Sequence, residues 1–348
     1  MFDPNSAAVS DSGIFGLPFS PDEAAIVFLP VPWDATTSYR PGTAKGPDAI
    51  LRASHQVDLE DADVHQPYEP GLAWAPFSPE ILAWNAEARA AAEKVIAVGG
   101  EVGTDAALMA CRDRVNALGG RLNEAVAAEA ARWIQRGKIV AVVGGDHAVP
   151  FGAMQALARK QPFGVLHFDA HSDTRSAYEG FSWSHASIFH NVLERIPGVT
   201  RVVQVGIRDF CEQEKDYWRA QGDRVRVFLD RDLWRRKLSG EAWTHITERI
   251  VSALPREIWI SFDIDGLDPK LCPSTGTPVP GGLELAEANA IIAAVVRSGR
   301  KILGFDLCEV APDPSGASEW DANVGARLLY KLSAWTLASH GKCTLAAE

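Results

Sequence analysis

Short runs of Val, Ile and Leu alternate with helix-forming segments from residue 138 to the end of this chain. Strands that are apolar along their whole length and alternate with helices are typical of a parallel sheet covered on both faces. The alternation predicts strands at 139–143, 164–168, 202–205, 225–229, 258–262 and 302–306, after an earlier one at 25–31. We therefore expect an α/β fold whose sheet has seven or eight strands.

Helix-forming segments lie before and between these strands. They are predicted at 48–54, 80–97, 104–117, 123–135, 151–159, 184–193, 212–220, 241–254, 284–298 and 321–338. Gly119 and Gly120 are predicted to separate the third of these helices from the fourth. Because no low-complexity linker interrupts the pattern, we expect an amino-terminal arm over residues 1–24 and one domain over residues 25–348.

Acidic residues and histidines cluster just beyond four of the predicted strands. In a parallel sheet the carboxyl ends of the strands share one edge, and ligands bind beyond that edge. The side chains that follow the four strands are His147; Asp169, His171 and Asp173; Asp263 and Asp265; and Asp306 and Glu309. Within the second and third groups the residues alternate, so that in an extended chain their side chains point the same way.

Six of these side chains have the composition of a metal site: His147, Asp169, His171, Asp173, Asp263 and Asp265. Buried carboxylates need a compensating partner, and a divalent cation is the simplest one. Two imidazoles and four carboxylates exceed the four ligands of a tetrahedral zinc, but they suit two harder ions such as Mn²⁺, with Ni²⁺ also compatible. Helix capping explains a single Asp-x-Asp pair, yet it does not explain three clusters at three strand ends.

A calcium loop is not expected at Asp169. Such a loop requires Gly at its sixth position and Glu at its twelfth. Counted from Asp169, these positions hold Thr174 and Gly180.

The overall charge and the cysteine content restrict the class of protein. A net charge of −11 argues against a nucleic-acid or anionic-membrane partner and is compatible with a cationic substrate, although an acidic surface is also ordinary. The five cysteines are odd in number and form no Cys-x-x-Cys pair, which suggests a reducing compartment. No signal peptide and no apolar run of about 20 residues is visible, so we expect a cytoplasmic protein.

Three motifs together resemble those of the ureohydrolases, the family of arginase, agmatinase and formimidoylglutamase. They are Gly-Gly-Asp-His at 144–147, Asp-Ala-His-Ser-Asp at 169–173 and Ser-Phe-Asp-Ile-Asp-Gly-Leu-Asp-Pro at 261–269. The likeness extends from residue 38 to residue 312. It implies a three-layer α/β/α fold with a mostly parallel eight-stranded sheet, two Mn²⁺ ions bound by the six residues named above, and hydrolysis of a guanidino group to urea and an amine.

The resemblance also implies roles for residues beside the metal site. Asp173 would pass a proton to the leaving amine, Glu309 would bind the guanidinium, and Thr277 would add a hydroxyl contact. His185 matches the family's mobile proton shuttle, and a pKa near 6.5 suits that role; a core or capping histidine is the alternative. Two departures, Ala148 where Ser is common and Cys272 where Ala is frequent, remove no ligand.

The sequence is less informative about the substrate. Cys211 and Arg175 stand where arginases use an Asp and an Asn to bind the two ends of the amino acid, so L-arginine is not expected. Arg175 is expected either to bind a substrate carboxylate or to pair with a nearby acid such as Glu179. The segment 173–187 looks most like the agmatinase branch, which places agmatine first, a guanidino acid or formimidoylglutamate second and a small alkylated guanidine third.

Two alternatives from other functional classes are a single-zinc deacetylase with the same fold and a catalytically inactive subunit that binds an active paralogue. The complete set of six ligands opposes both. By resemblance, homo-trimers or homo-hexamers are expected.

Overall fold

The computed structural model describes residues 2–9 and 12–346, and its centre is one sheet of eight parallel strands. The strands are β1 (Ile26–Val31), β2 (Leu72–Trp74), β3 (Ile139–Gly144), β4 (Phe163–Phe168), β5 (Val199–Ile207), β6 (Val225–Leu229), β7 (Glu257–Asp263) and β8 (Lys301–Cys308). They are arranged in the order β2-β1-β3-β8-β7-β4-β5-β6, and every neighbouring pair is parallel. The predicted eight-stranded α/β sheet is confirmed.

Helices cover both faces of this sheet. They are α1 (Gly46–Ser54), α2 (Pro79–Ile96), α3 (Ala106–Gln135), α4 (Phe151–Ala158), α5 (Ile188–Arg195), α6 (Glu212–Ala220), α7 (Asp230–Leu238), α8 (Trp243–Ser252), α9 (Leu285–Arg297) and α10 (Trp320–Ser339). One core contains side chains of α1 and α7–α10, and the other contains side chains of α2–α5, with α6 packed against its edge. Alternate residues of the central strands enter the two cores, which is the three-layer arrangement that was expected.

The structure corrects the predicted helices around Gly119 and Gly120. Instead of two helices, α3 runs without a break through both glycines. A Cβ atom at Gly119 would lie 2.9 Å from the Cβ of Trp183, which packs directly on this turn. Glycine is therefore present to allow a close approach, and the packing of the helix outweighs glycine's low helix propensity.

Two elements were missed in the sequence. Strand β2 has only three residues and lies at the edge of the sheet, behind a proline-rich loop. Helix α7 buries only Asp230 and Leu233, so it shows almost no apolar periodicity. In addition, the segment predicted as a helix at 184–193 begins with a 3₁₀ turn, His185–Ser187, before α5.

The amino-terminal segment contributes to one of the two cores. Ile14, Phe15 and Leu17 are buried, and the ring of Phe15 lies 4.9 Å from that of Tyr330 in α10. The division into an arm and a domain stays a prediction. Over residues 2–9 and 12–346, no helix is both long enough and apolar enough to cross a membrane.

The two glycines of α3 make a matched pair of substitutions. Gly119→Ala should destabilise the protein by about 1–3 kcal/mol, because the added methyl group collides with Trp183. Gly120→Ala should stabilise it by about 0.5–1 kcal/mol, because the nearest atom, Nε1 of Trp183, is 3.7 Å away and alanine favours the helix. Urea unfolding of both variants checks this, and equal effects would contradict it.

Candidate active site

All six predicted metal ligands meet beyond the carboxyl ends of β3, β4 and β7, which lie in the middle of the sheet. His147 follows β3 by three residues, and Asp169, His171 and Asp173 follow β4. Asp263 ends β7, and Asp265 belongs to the 3₁₀ turn that continues it. The side chains are buried except that of His171, which is 24% exposed.

Asp169 lies between the two histidines of this cluster. Its Oδ2 is 3.1 Å from Nδ1 of His147, and its Oδ1 is 3.4 Å from Nδ1 of His171. The same nitrogen of His147 is 3.2 Å from Asp173 and 3.3 Å from Asp263. The nitrogen of His171 is 3.1 Å from Asp265. The six predicted ligands thus form two adjoining groups that share Asp169, an arrangement compatible with two cations.

The ring of His147 is held by Ser261 and Asp306, to which the sequence analysis assigned no role. Its Nε2 is 2.9 Å from Oγ of Ser261, which in turn donates a hydrogen bond to Asp306 at 3.0 Å. Ser261 and Asp306 are paired in the register of β7 and β8. This contact directs Nδ1 of His147 toward the carboxylates.

Asp169 also has a supporting histidine. Nε2 of His167 lies 2.8 Å from Oδ2 of Asp169, and the amide of Gln204 donates to Nδ1 of the same ring at 3.0 Å. Burial lowers the pKa of His167 to about 4, so the ring is neutral and donates to Asp169 through Nε2. Both ring nitrogens are therefore engaged, and His167 orients the carboxylate of Asp169.

The shifted pKa values in the cluster indicate that its carboxylates favour the presence of a positive charge. Burial raises the pKa of Asp173 to about 7 and that of Asp263 well above its ordinary value, and neighbouring carboxylates add to both shifts. Burial opposes protonation of His147 and His171, but the surrounding carboxylates raise the pKa of each well above its ordinary value. Imidazole nitrogens that face only carboxylate oxygens need a proton or a metal ion between them. The residues present fit two divalent cations.

Glu309 follows β8 and approaches the cluster from its own strand end. Its Oε1 accepts a hydrogen bond of 2.9 Å from the backbone N–H of His147, and its backbone has a φ of 62°. Burial, together with the nearby Asp146 carboxylate, raises the pKa of Glu309 well above its ordinary value. Thr277 donates to Asp265 at 3.4 Å. Glu309 and Thr277, two of the three residues predicted to contact the substrate, therefore lie beside the predicted metal ligands.

His185 is carried by a loop that α3 holds in place. The Oδ1 atom of Asn116 accepts hydrogen bonds from the backbone N–H and the hydroxyl of Ser182, and its amide donates to the carbonyl of Gly180. Burial lowers the pKa of His185 to about 4, so its imidazole is neutral near pH 7. The sequence contained no signal for the support by Asn116.

A cavity of about 180 Å³ connects these groups. Its walls include the predicted ligands and substrate contacts His171, Asp173, Arg175, His185, Asp263, Thr277 and Glu309. Nε of Arg175 lies 3.6 Å from Glu214, and its guanidinium carbon lies 5.0 Å from the ring centre of Tyr178. The predicted ion pair of Arg175 with a nearby acid is present, but the acid is Glu214 and not Glu179. Asp209, an exposed carboxylate, also lines the cavity.

A three-layer parallel fold with two adjoining His/Asp groups beyond its central strands has the architecture of a binuclear metal hydrolase. More particularly, this chain belongs to the arginase family, whose model matches residues 24–334. It is therefore a ureohydrolase, a member of a family that acts on guanidino compounds.

Known proteins of this family are similar over most of the chain. An N(1)-aminopropylagmatine ureohydrolase of Thermus thermophilus is 33% identical over 320 residues, which is 91% of this chain and 92% of that protein. The mitochondrial agmatinase of Gallus gallus is 31% identical over 314 residues, which is 88% of this chain and 79% of that protein. The structure of proclavaminate amidino hydrolase from Streptomyces clavuligerus superimposes with a TM-score of 0.71 at 23% identity, over 97% of this chain and 100% of that one.

Metal binding should reverse the effect of removing one carboxylate. Asp263→Asn should leave the metal-free protein at least as stable as wild type, because burial makes the ionised form of the Asp263 carboxyl group unfavourable and the amide has no such form. Mn²⁺ at about 100 times its dissociation constant should stabilise wild type by about 2.7 kcal/mol and the variant much less. Thermal unfolding with EDTA or Mn²⁺ measures this. Asp268→Asn is the control: Asp268 lies on the same loop but is paired with Lys270, so this variant should respond to Mn²⁺ like wild type.

The stability of the metal-free protein should fall as the pH rises from about 6 to about 8. The raised pKa values of Asp173, about 7, and Asp146, about 8, make ionisation of these buried groups unfavourable in the folded state. The raised pKa values of His147 and His171 act in the same direction, since their stabilising protons leave as the pH rises.

The stabilisation by Mn²⁺ should grow over the same pH range, because fewer protons must be displaced. Melting temperatures with and without metal at three pH values test this. A metal effect that shrinks toward pH 8 would contradict it.

Proposed function

We propose that this protein hydrolyses the guanidino group of a small alkylguanidine that has a primary amine at its other end. The first candidate is agmatine, which yields urea and putrescine. The observation that carries this proposal is the shared cavity: Asp173, His185 and Glu309 border one space of about 180 Å³, and the exposed carboxylate of Asp209 borders it too. A guanidinium placed against Glu309 leaves its alkyl tail to extend toward the solvent.

Two divalent cations, Mn²⁺ or Ni²⁺, would be held by His147, Asp169, His171, Asp173, Asp263 and Asp265. When bound, such a pair lowers the pKa of water enough to supply a hydroxide nucleophile near neutral pH. The sharing of Asp169 between two ligand groups supports two ions and disfavours the single-zinc alternative.

Glu309 is proposed to bind the planar guanidinium. A carboxylate accepts two parallel N–H bonds from such a group. Burial and the nearby Asp146 carboxylate raise the pKa of Glu309, and the arrival of a cation favours the ionised form that makes these bonds. The hydrogen bond from the backbone of His147 fixes one oxygen of Glu309, so the substrate carbon is held beside the predicted metal ligands.

Asp173 and His185 are proposed to move the protons. The Asp173 carboxylate lies on the cavity wall among the predicted metal ligands, where it is placed to accept a proton from the attacking nucleophile. The neutral imidazole of His185 lies on the wall of the same cavity and is proposed to carry that proton to the departing amine. The amine must be protonated to leave, since an amide anion is a very poor leaving group.

The charges of the cavity favour a cationic tail. Its lining contains one guanidinium and five carboxylates. Asp173 and Asp263 are predicted metal ligands and Glu309 is proposed to bind the substrate, so that Asp209 and Glu214 remain. That guanidinium, from Arg175, already faces Glu214. An ammonium tail would therefore meet the Asp209 carboxylate. The names of the two relatives described above, which specify aminopropylagmatine and agmatine, support this direction.

A guanidino acid is the second candidate, because the Arg175 side chain stays 35% exposed in the cavity wall. A substrate carboxylate could displace Glu214 as its partner. The cytoplasmic location and the homo-trimer or homo-hexamer stay predictions.

The experiment is urea release by the purified protein loaded with Mn²⁺ or Ni²⁺, across agmatine, N(1)-aminopropylagmatine, 4-guanidinobutyrate, L-arginine and methylguanidine. We expect the highest kcat/KM with agmatine or its aminopropyl derivative. Asp265→Ala, which removes one ligand, should lower kcat/KM by at least about a hundredfold. Absence of urea with every substrate and both metals would overturn the proposal.

Asp209 and Arg175 separate the two candidates. Asp209→Asn should raise KM for agmatine about fivefold, as expected for loss of a partly exposed ion pair, and should leave KM for 4-guanidinobutyrate unchanged or lower. If a guanidino acid is the substrate, Arg175→Gln should instead impair the reaction with 4-guanidinobutyrate. Steady-state kinetics of both variants with both compounds decide between these patterns.

A further inference from the structure

Thr36 lies behind His185, and its hydroxyl contacts the imidazole. Oγ1 of Thr36 is 3.3 Å from Nδ1 of His185, and it accepts a hydrogen bond of 3.4 Å from the backbone N–H of the same residue. Thr36 is 2% exposed and belongs to the loop after β1, far from His185 in the chain. We propose that Thr36 is the residue that positions His185 for proton transfer, an inference that rests on the proposed function.

The contacts of the ring assign different roles to its two nitrogens. Nδ1 lies between the hydroxyls of Thr36 and Ser184, at 3.3 and 3.4 Å. The Oγ of Ser184 also accepts from the backbone of Ala186 and caps the 3₁₀ turn, whereas the Thr36 hydroxyl contacts both the ring and the backbone N–H of His185. Nε2 has no hydrogen-bond partner in the described part of the chain, and His185 lines the cavity. Thr36 therefore holds Nδ1 and leaves Nε2 to exchange a proton with the substrate.

The Thr36 hydroxyl is itself anchored on its other side. Its Oγ1 lies 3.4 Å from Oδ2 of Asp146, and the other oxygen of Asp146 accepts from the backbone of Ala148 at 3.1 Å. Asp146 is fully buried, so this carboxyl group cannot turn away to water. Three groups, from Asp146, Thr36 and His185, thus form a continuous chain of contacts. Such contacts are often long in a free enzyme and tighten in the complex with substrate.

The loop that carries Thr36 is held by helix α2. The side chain of Asn85 donates to Asp34 at 3.2 Å and accepts from the Asp34 backbone at 2.9 Å. The Asp34 carboxylate also accepts from the backbone of Gly42 at 2.9 Å, which closes the loop. Arg89 donates to the carbonyl of Thr37. The position of the Thr36 hydroxyl is therefore determined before substrate binds, as proton transfer requires.

The neighbouring residue provides a matched control. Thr37 is 3% exposed, on the same loop, but its hydroxyl has no hydrogen-bond partner among the described residues. Thr→Val at either position changes one hydroxyl to a methyl group of nearly the same size. Only the change at position 36 removes the contact with His185.

Kinetics of Thr36→Val, Thr36→Ser and Thr37→Val on the metal-loaded protein test the proposal. Thr36→Val should lower kcat by about tenfold to a hundredfold and change KM less than about twofold, because ring orientation affects the proton transfer and not binding. Thr36→Ser keeps the hydroxyl and should recover kcat to within about threefold of wild type. Thr37→Val should match wild type. Equal kcat for the two valine variants, or no recovery with serine, would overturn the proposal.

Crystal structures of the same variants test it without any assay. In Thr36→Val the imidazole of His185 should rotate away from position 36, and in Thr37→Val it should not; an unmoved ring in Thr36→Val would overturn the inference. Thr36→Ala replaces the valine variant if the latter does not fold. Failure of the proposed function looks different: wild type would then release no urea, or His185→Gln would keep full kcat.

Discussion

The rest of the site depends on the charge of a buried carboxylate cluster. Asp169, Asp173, Asp263 and Asp265 are almost fully buried within one small volume, and the two histidines face them through Nδ1. Bringing like charges together away from water is unfavourable, and the raised pKa values of Asp173 and Asp263 express that cost. The sheet keeps these carboxylates together in spite of that cost, because neighbouring strands hold them and the residues that contact them in a fixed register.

Two of the acids that line the cavity have a strained backbone. Asp173 has a φ of 54° and Glu309 a φ of 62°, both in the left-handed region that non-glycine residues rarely adopt. The surrounding structure holds both conformations. The carbonyl of Asp173 accepts from the backbone of Phe189 at 2.9 Å, and the N–H of Glu309 donates to Gly145 at 2.8 Å. These bonds connect the acids to α5 and to the loop after β3, so packing maintains the strain.

Most of the fold could be predicted because its central strands are apolar throughout and follow one another at regular intervals. Strand β2 was not predicted because three edge residues are too few to show a periodic pattern. Helix α7 was not predicted because only two of its residues are buried. The interruption expected at Gly119 depended on local propensity, which the contact with Trp183 overrides. In the site, the metal-type residues were visible because they are close together in sequence. The supporting roles of Ser261 and Gln204 were not, because a Ser or Gln within a strand carries no local sign of what its side chain contacts.

The sequence alone determined the order of most strands and helices and the six clustered metal-type residues, because periodicity and strand-end motifs are local properties. The tertiary structure decided what surrounds them. It paired Arg175 with Glu214 and not with Glu179, and it placed Thr36 against His185. Such contacts join residues that lie on different loops. Which loops meet is settled by the order of strands in the sheet and by the packing of helices on its faces, and no short stretch of sequence contains that information.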